Sequence, residues 1–190
     1  MTAERFDRDE LERFLRAVDK HLVAPAKIKV IGGTAASLGY GADETTVDID
    51  LYQSSTPDLQ HAASLAREET GLEVPIGNST VADIPHDAED RLVRQLPELQ
   101  KLEVWVLEKH DLVLSKVIRW ADTDTRQVRQ LENLSYDVLI VRFESEMRHV
   151  VGDLRKVKDN FLDMIDDVFG ELTTVRARQR LEGWERRPFG

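Results

Sequence analysis

The chain has 190 residues, enough for one domain with a helical extension, and its apolar fraction of 41% suffices for an ordinary core. It contains no cysteine, which excludes disulfides and thiolate metal sites, and its five histidines lack metal-ligand spacing, so carboxylates are the metal ligands to consider. The net charge of −10 argues against broad binding of duplex DNA, and the charged N-terminus and lack of a membrane-length apolar run predict a cytoplasmic protein with no membrane partner.

The N-terminal part of the chain predicts, in order, a helix over 7–21, a strand over 27–31 and a helix over 34–40. Gly32 and Gly33 form a tight turn between that strand and the second helix. N–H groups at a helix start point outward, and glycine lets phosphate oxygens approach without a Cβ in the way. Gly32, Gly33 and the hydroxyl of Thr34 are therefore candidate phosphate-binding groups. The alternative is that the glycines only turn the chain.

The next strand, predicted over 46–52, carries two acidic residues. Its period of two places Asp48 and Asp50 on one face and the apolar side chains on the other. Two carboxylates this close raise each other's pKa, and a divalent cation with oxygen ligands relieves their repulsion. The pair therefore predicts a metal site. An edge strand with one solvated, acidic face is the alternative interpretation.

Taken in this order, Ile31-Gly32-Gly33 and Asp48-Ile49-Asp50 resemble the nucleotidyltransferase superfamily, whose pattern is a hydrophobic residue, Gly-Gly or Gly-Ser, a short helix and Asp-hydrophobic-Asp. The string is most similar to the small bacterial branch that includes toxin components of abortive-infection toxin–antitoxin systems. The resemblance covers about residues 27–135. It implies an α/β (α+β) fold, with a nucleotidyltransferase-like mixed sheet flanked by helices and a C-terminal helical extension, and it implies Mg²⁺ (or Mn²⁺) and a nucleoside triphosphate.

The middle of the chain predicts a helix over 58–70, one short strand near Val81, a short helix over 88–96 and a strand over 101–107. The resemblance implies a third carboxylate from a neighbouring strand, and Glu103 is the candidate because it lies on the polar face of the last of these strands. The alternative is that Glu103 lies with Lys101 on a solvated strand face.

Helices are predicted over 111–121 and 125–140, and Lys116 shares a face of the first with Leu112 and Trp120. A lysine on that face either extends its ammonium to water along its apolar stem or directs it toward a triphosphate. The resemblance favours the second role, because the related branch carries a lysine in this helix.

One feature departs from the pattern of that branch. Relatives carry acidic residues in the helix after the lysine, whereas this chain has Gln127 and Gln130. Either Glu132 or Asp124 takes their place, or catalysis is weak.

The C-terminal part predicts one amphipathic helix over 143–169 that stops at Gly170, followed by an arginine-rich tail. We expect residues 1–140 to form the nucleotidyltransferase-like domain. The segment 141–190 would be a long helix and basic tail that pack on this domain or at a homodimer interface. For the tail, contact with nucleic acid or an acidic partner stays open, but a solvated, loosely ordered segment is favoured.

The predicted function is metal-dependent transfer of a nucleoside monophosphate to an unknown acceptor, with Asp48, Asp50 and Glu103 as catalytic metal ligands. By resemblance the acceptor is transfer RNA, a protein hydroxyl or a small molecule, and an antitoxin is a candidate partner. A competing interpretation is a catalytically degenerate module that binds nucleotide or a protein partner. A third is an unrelated α/β interaction protein, in which the glycines and acids are turn and surface features.

Overall fold

The structure, a computed structural model, describes residues 4–42, 45–53, 55–78 and 84–186. Within these ranges the chain forms eight α-helices: α1 (Arg8–His21), α2 (Gly32–Tyr40), α3 (Pro57–Thr70), α4 (Lys109–Val117), α5 (Asp122–Gln130), α6 (Tyr136–Glu146), α7 (Leu154–Phe169) and α8 (Glu171–Arg180). The five strands are β1 (Ala26–Val30), β2 (Ile49–Leu51), β3 (Ile76–Asn78), β4 (Val93–Gln95) and β5 (Leu102–Val106). The predicted α+β class, a mixed sheet with flanking helices, is confirmed.

The chain divides into two compact units. The sheet unit takes the described residues of Met1–Ala82 and Leu92–Glu108, and the helical unit takes those of Asp83–Arg91 and Lys109–Gly190. No helix in the described part of the chain combines the length and apolar character needed to cross a membrane.

The sheet has the strand order β3-β2-β1-β5-β4 and mixes both kinds of pairing. β1 runs parallel to β5 and antiparallel to β2, while β2 is parallel to β3 and β4 is antiparallel to β5. Its apolar face carries buried side chains such as Val30, Leu51 and Val106, and α1 and α2 contact its strands. Helix α2 approaches so closely that a Cβ on Gly39 would lie 2.9 Å from Val106 Cγ2.

The opposite side of the sheet, here named the polar face, follows from the strand register. Asp50 is opposite Gly77 in β3, and its carbonyl accepts the N–H of Ile31 at 3.0 Å, so it shares a face with the odd-numbered residues of β1. Residues paired across neighbouring strands lie on the same face, so the face continues from Lys29 to Trp105 in β5 and from Trp105 to Arg94 in β4. Its side chains within the strands are Lys27, Lys29, Asp50, Arg94, Glu103 and Trp105.

Asp19 near the end of α1 fixes the start of β5. Its carboxylate accepts the backbone N–H groups of Gln100, Lys101 and Leu102 at 3.2, 2.7 and 2.7 Å. Burial raises the pKa of Asp19, but these hydrogen bonds outweigh that effect and leave the pKa below its usual value.

The helical unit contains packed aromatic side chains and two groups of buried charges, one around Arg91 and one around Lys116. Phe143 lies between Phe161 and Trp184, with ring centroids 4.1 and 4.6 Å away. The prediction of a loosely ordered tail is wrong here, because α8 packs on α7 and Trp184 is 1% exposed, although the side chains of Arg176, Arg178 and Arg180 are exposed.

The buried charges around Arg91 join the segment before β4 to α4 and α6. Arg91 binds both carboxylate oxygens of Asp111 at 2.8 and 3.0 Å and Glu146 at 2.5 Å, while Arg142 lies 3.0 Å from Asp111. Two arginines therefore balance two carboxylates. Burial lowers the pKa of Arg91, but its two acidic partners outweigh this and raise it above the ordinary arginine value.

Several predicted elements differ from those observed. The helix expected over 88–96 is a 3₁₀ turn at Ala88–Arg91 followed by β4, and the helix expected over 125–140 is divided into α5 and α6. The strand expected near Val81 falls outside the described residues.

The single helix expected over 143–169 is also wrong, because α6 ends at Glu146 and α7 begins at Leu154. Gly152, with φ +144°, lies in the break, and the neighbouring Val151 is 86% exposed rather than part of a buried stripe. The predicted stop is confirmed, since α7 ends at Phe169 with Gly170 as its C-cap.

Candidate functional site

The glycine turn joins β1 to α2 at the edge where β2 pairs with β1. Gly32 has φ +65°, a conformation that glycine adopts without strain, and it is the first residue of α2. Ile31, the N-cap, provides no side-chain hydrogen bond to the helix start. First-turn N–H groups of a helix have no intrahelical partner, and the dipole makes this end attractive to anions. Gly32 and Gly33 are thus placed as an anion-binding turn would require.

Asp50 borders this turn. A Cβ on Gly32 would lie 3.3 Å from Asp50 Oδ2, so only the absence of a side chain leaves this space beside the carboxylate. Asp48 and Asp50 are both half-buried, while Ile49 between them is fully buried on the apolar face. The predicted alternation holds within β2 itself, but the strand begins at Ile49, so Asp48 lies just before it, and Val47, expected on the apolar face, is 36% exposed.

Thr34 connects the turn to the acid strand. Its hydroxyl, which is 1% exposed, donates to the backbone carbonyl of Asp48 at 2.5 Å. The hydroxyl of Thr46 donates to the same carbonyl at 3.1 Å. Thr34 therefore fixes the backbone that carries Asp48. The structure places Asp50 beside Gly32 and ties Thr34 to the backbone of Asp48, while phosphate and metal binding by these residues stay predictions.

Glu103 lies elsewhere on the polar face. It pairs with Lys27 in β1, four residues before Ile31, which is a displacement of about 13 Å along the strand. Its carboxylate accepts the indole N–H of Trp105 at 3.1 Å. The register does not bring Glu103 beside the acid pair. Among the described residues, no group of three histidine, aspartate or glutamate side chains could hold a metal ion.

Lys116 belongs to the helical unit and has partners there. It is 3% exposed, and its ammonium donates to Asp124 Oδ1 at 3.0 Å and to Gln127 Oε1 at 2.5 Å. Burial raises the pKa of Asp124, but the Ala121 N–H and the charge of Lys116 outweigh it, so the pKa lies below its usual value. Gln130, which stands where an acidic residue was expected, and Glu132, a candidate to take its place, are both exposed.

Cations and rings on the polar face were not assigned a role from sequence. Lys27 Nζ lies 4.6 Å from the centroid of the Trp105 ring, and Lys29 Nζ lies 6.0 Å from that of Tyr52. Beside them is a cavity of about 370 Å³, whose lining includes Lys27, Lys29, Tyr52 and Thr56 at the start of α3. The signal was the alternation Lys27-Ile28-Lys29, which puts both cations on one face.

One comparison with known proteins matches most of the chain. A family model described as a nucleotidyltransferase of unknown function (DUF6036) matches residues 9–173. No curated protein and no solved structure matches the chain.

Proposed function

Since the chain belongs to this family of nucleotidyltransferases of unknown function, we propose that it moves a nucleoside monophosphate from a nucleoside triphosphate to an acceptor hydroxyl at the site formed by Gly32, Asp48 and Asp50. The observation that carries the proposal is the approach of Asp50 Oδ2 to the glycine that opens α2. A phosphate group held at this helix start would lie next to a carboxylate, and such neighbours need a cation between them.

The residues present fit a divalent cation. Carboxylate oxygens are ligands for Mg²⁺ and Mn²⁺, and protein-bound Mg²⁺ commonly uses one or two carboxylates, with substrate phosphates and water as its other ligands. Asp48 and Asp50 would supply these two carboxylates. Bound there, the ion would offset the charge of the triphosphate and of the oxygen that attacks it.

The chain's own groups position the substrate. The N–H groups at the start of α2 would donate to phosphate oxygens, and Gly32 leaves room for them. Thr34 holds the backbone of Asp48 in place. In the reaction, the acceptor oxygen forms a bond to the α-phosphorus, the bond from that phosphorus to the bridging oxygen breaks, and pyrophosphate leaves with the electron pair. The acceptor proton passes to a carboxylate oxygen or to water.

A second candidate function is a nucleotide-binding module without transfer activity. It is favoured by Gln127, which binds Lys116 where relatives have acidic residues. Release of pyrophosphate separates the two proposals, because a module that only binds nucleotide releases none. The resemblance also implies a toxin with an antitoxin partner. That role belongs to the first proposal, because such a toxin would act by transferring a nucleoside monophosphate.

The test is calorimetric titration of each nucleoside triphosphate with and without Mg²⁺, on the wild type and on Asp48→Asn/Asp50→Asn. We expect Mg²⁺-dependent binding that the double variant loses. Asp9→Asn is the control, because Asp9 is exposed on α1 and its replacement also removes a negative charge from the sheet unit. Unchanged binding by the double variant, or absence of binding by the wild type, would refute the proposed site.

A further inference from the structure

Helix α8 carries an apolar row on the side that faces away from the core of the helical unit, here named the α8 seam. At about 100° per residue, Leu172, Val175 and Gln179 lie within about 60° of one another, opposite the buried Ala177. Leu172 is 80% exposed and Val175 is 48% exposed, and no other helix in the described part of the chain exposes two large apolar side chains. Their spacing of three and four residues is typical of a helix that packs on another helix.

Opposite charges flank the α8 seam. Glu171 directly precedes Leu172, and Arg178 directly precedes Gln179, so both lie on the same flank, and both are exposed. Their seven-residue separation is about 10.5 Å along the helix axis, which is too far for an ion pair. Within the described ranges, neither side chain takes part in a hydrogen bond or an ion pair. The helix therefore presents an acid and a base that can be paired only by another molecule.

This arrangement of charges is complementary to itself. When a second copy of α8 runs antiparallel to the first, Glu171 of each helix comes beside the partner's Arg178, and Leu172 comes beside the partner's Val175. A two-fold axis makes each of these contacts occur twice. The result is an apolar centre with an ion pair at each end, and charges in these flanking positions are the ones that set partner choice and orientation in paired helices.

A groove beside the seam adds acidic side chains to the same flank. A cavity of about 340 Å³ between α7 and α8 is lined by Asp163 and Asp166 of α7 together with Glu171, Val175 and Arg178 of α8. Three carboxylates against one arginine make this groove attractive to a basic side chain and unfavourable for an acidic one. A second copy of α8 supplies the arginine that this groove requires, because its Arg178 arrives on this flank.

We propose that α8 is the contact helix of a homodimer, in which the α8 seam packs antiparallel on the α8 seam of a second copy. The inference is independent of the proposed transfer reaction, because α8 belongs to the helical unit and the acid pair belongs to the sheet unit. We expect a reversible dimer, since a helix of ten residues offers a small contact, whereas standard interfaces bury about 1,200–2,000 Å².

The test is sedimentation velocity of the full chain over a dilution series, with the charge reversals Glu171→Arg and Arg178→Glu. Each variant alone would place like charges at both ends of the antiparallel contact, and its dimer dissociation constant should rise by about tenfold or more. An equimolar mixture of the two variants restores an opposite pair at both ends, so it should associate as tightly as the wild type. Recovery in the mixture also shows that neither reversal has unfolded the chain.

Leu172→Gln/Val175→Gln tests the apolar centre in the same assay. Glutamine is a good helix former, so α8 should persist while the double variant stays monomeric across the series. Val151→Gln is the control, because Val151 is 86% exposed in the same unit but precedes α7, whose 16 residues span about 24 Å before α8 begins. It should dimerise like the wild type. A wild type that is monomeric throughout the series overturns the proposal, as does a mixture of the charge reversals that associates no better than either alone.

Discussion

Replacement of Gly32 by alanine should weaken nucleotide binding through its contact with Asp50. With φ +65° at this position, an L residue costs about 1–2 kcal/mol of folding free energy. The new Cβ would also lie 3.3 Å from Asp50 Oδ2, so the carboxylate must move by a few tenths of an ångström. Because Mg²⁺ requires near-ideal octahedral geometry, such a shift should weaken Mg²⁺-dependent nucleotide binding by about tenfold, or roughly 1.4 kcal/mol.

Gly71→Ala provides the matched control. Gly71 ends α3 with φ +68°, and a Cβ there would meet nothing within 4 Å. Urea unfolding should therefore show both variants destabilised by about 1–2 kcal/mol, while calorimetry with nucleotide and Mg²⁺ should show weaker binding for Gly32→Ala alone. If the two variants bind nucleotide equally well, Asp50 and the glycine turn do not form one site.

Three further predictions concern polar contacts within a single unit. One concerns Asp19 in the sheet unit, and two concern Arg91 and Asp124 in the helical unit. Asp19→Ala leaves three backbone N–H groups of 100–102 without their acceptor, and it should lower the free energy of unfolding in urea by about 1–3 kcal/mol; Asp19→Asn, which keeps one acceptor oxygen, should be less destabilised. Arg91→Met leaves Asp111 and Glu146 with Arg142 as their remaining cation in this cluster, and it should cost about 3–5 kcal/mol in the same assay, whereas a cost below about 1 kcal/mol, typical of surface pairs, would contradict the burial argument. Because the pKa of Asp124 is depressed in the folded state, its contribution is present above its ordinary value of 3.8 and is lost as pH falls through the lower folded value. The unfolding free energy of the wild type should therefore fall more steeply with acid than that of Lys116→Met/Asp124→Asn, and parallel curves below about pH 4 would contradict the assignment.

The motifs around the acid pair were predictable because their signals are local. The alternation of Ile49, Asp50 and Leu51 requires only the period of a strand, and Asp50 is indeed half-buried between two buried apolar residues. Gly32 is needed where the chain turns from β1 into α2 with positive φ. Metal binding by Asp48 and Asp50 stays a prediction.

The elements that sequence missed depend on distant partners or on a single backbone conformation. The apolar spacing over 143–169 continues through Val150 and Val151, although Val151 is exposed, because spacing counts residues without showing which neighbours cover them. The role of Arg91 also depends on distant partners, since Asp111 and Glu146 are 20 and 55 residues away along the chain. No pattern in the segment around Arg91 indicates those contacts.

The contacts of Lys116 bear on the glutamine that stands where the resemblance implies an acidic residue. From sequence, its ammonium was expected at water or at a triphosphate, but the structure pairs it with Asp124, eight residues further along the chain. Asp124 also accepts the N–H of Ala121 at the start of α5, which helps to keep this buried carboxylate ionised. Gln127 then supplies a second oxygen to Lys116 without a second charge. A carboxylate at 127 would place a second negative charge beside Lys116, at a position that is half-buried. The glutamine therefore meets the hydrogen-bonding need of Lys116 without an added charge, and the release of pyrophosphate, not the residue at 127, decides between the two proposed functions.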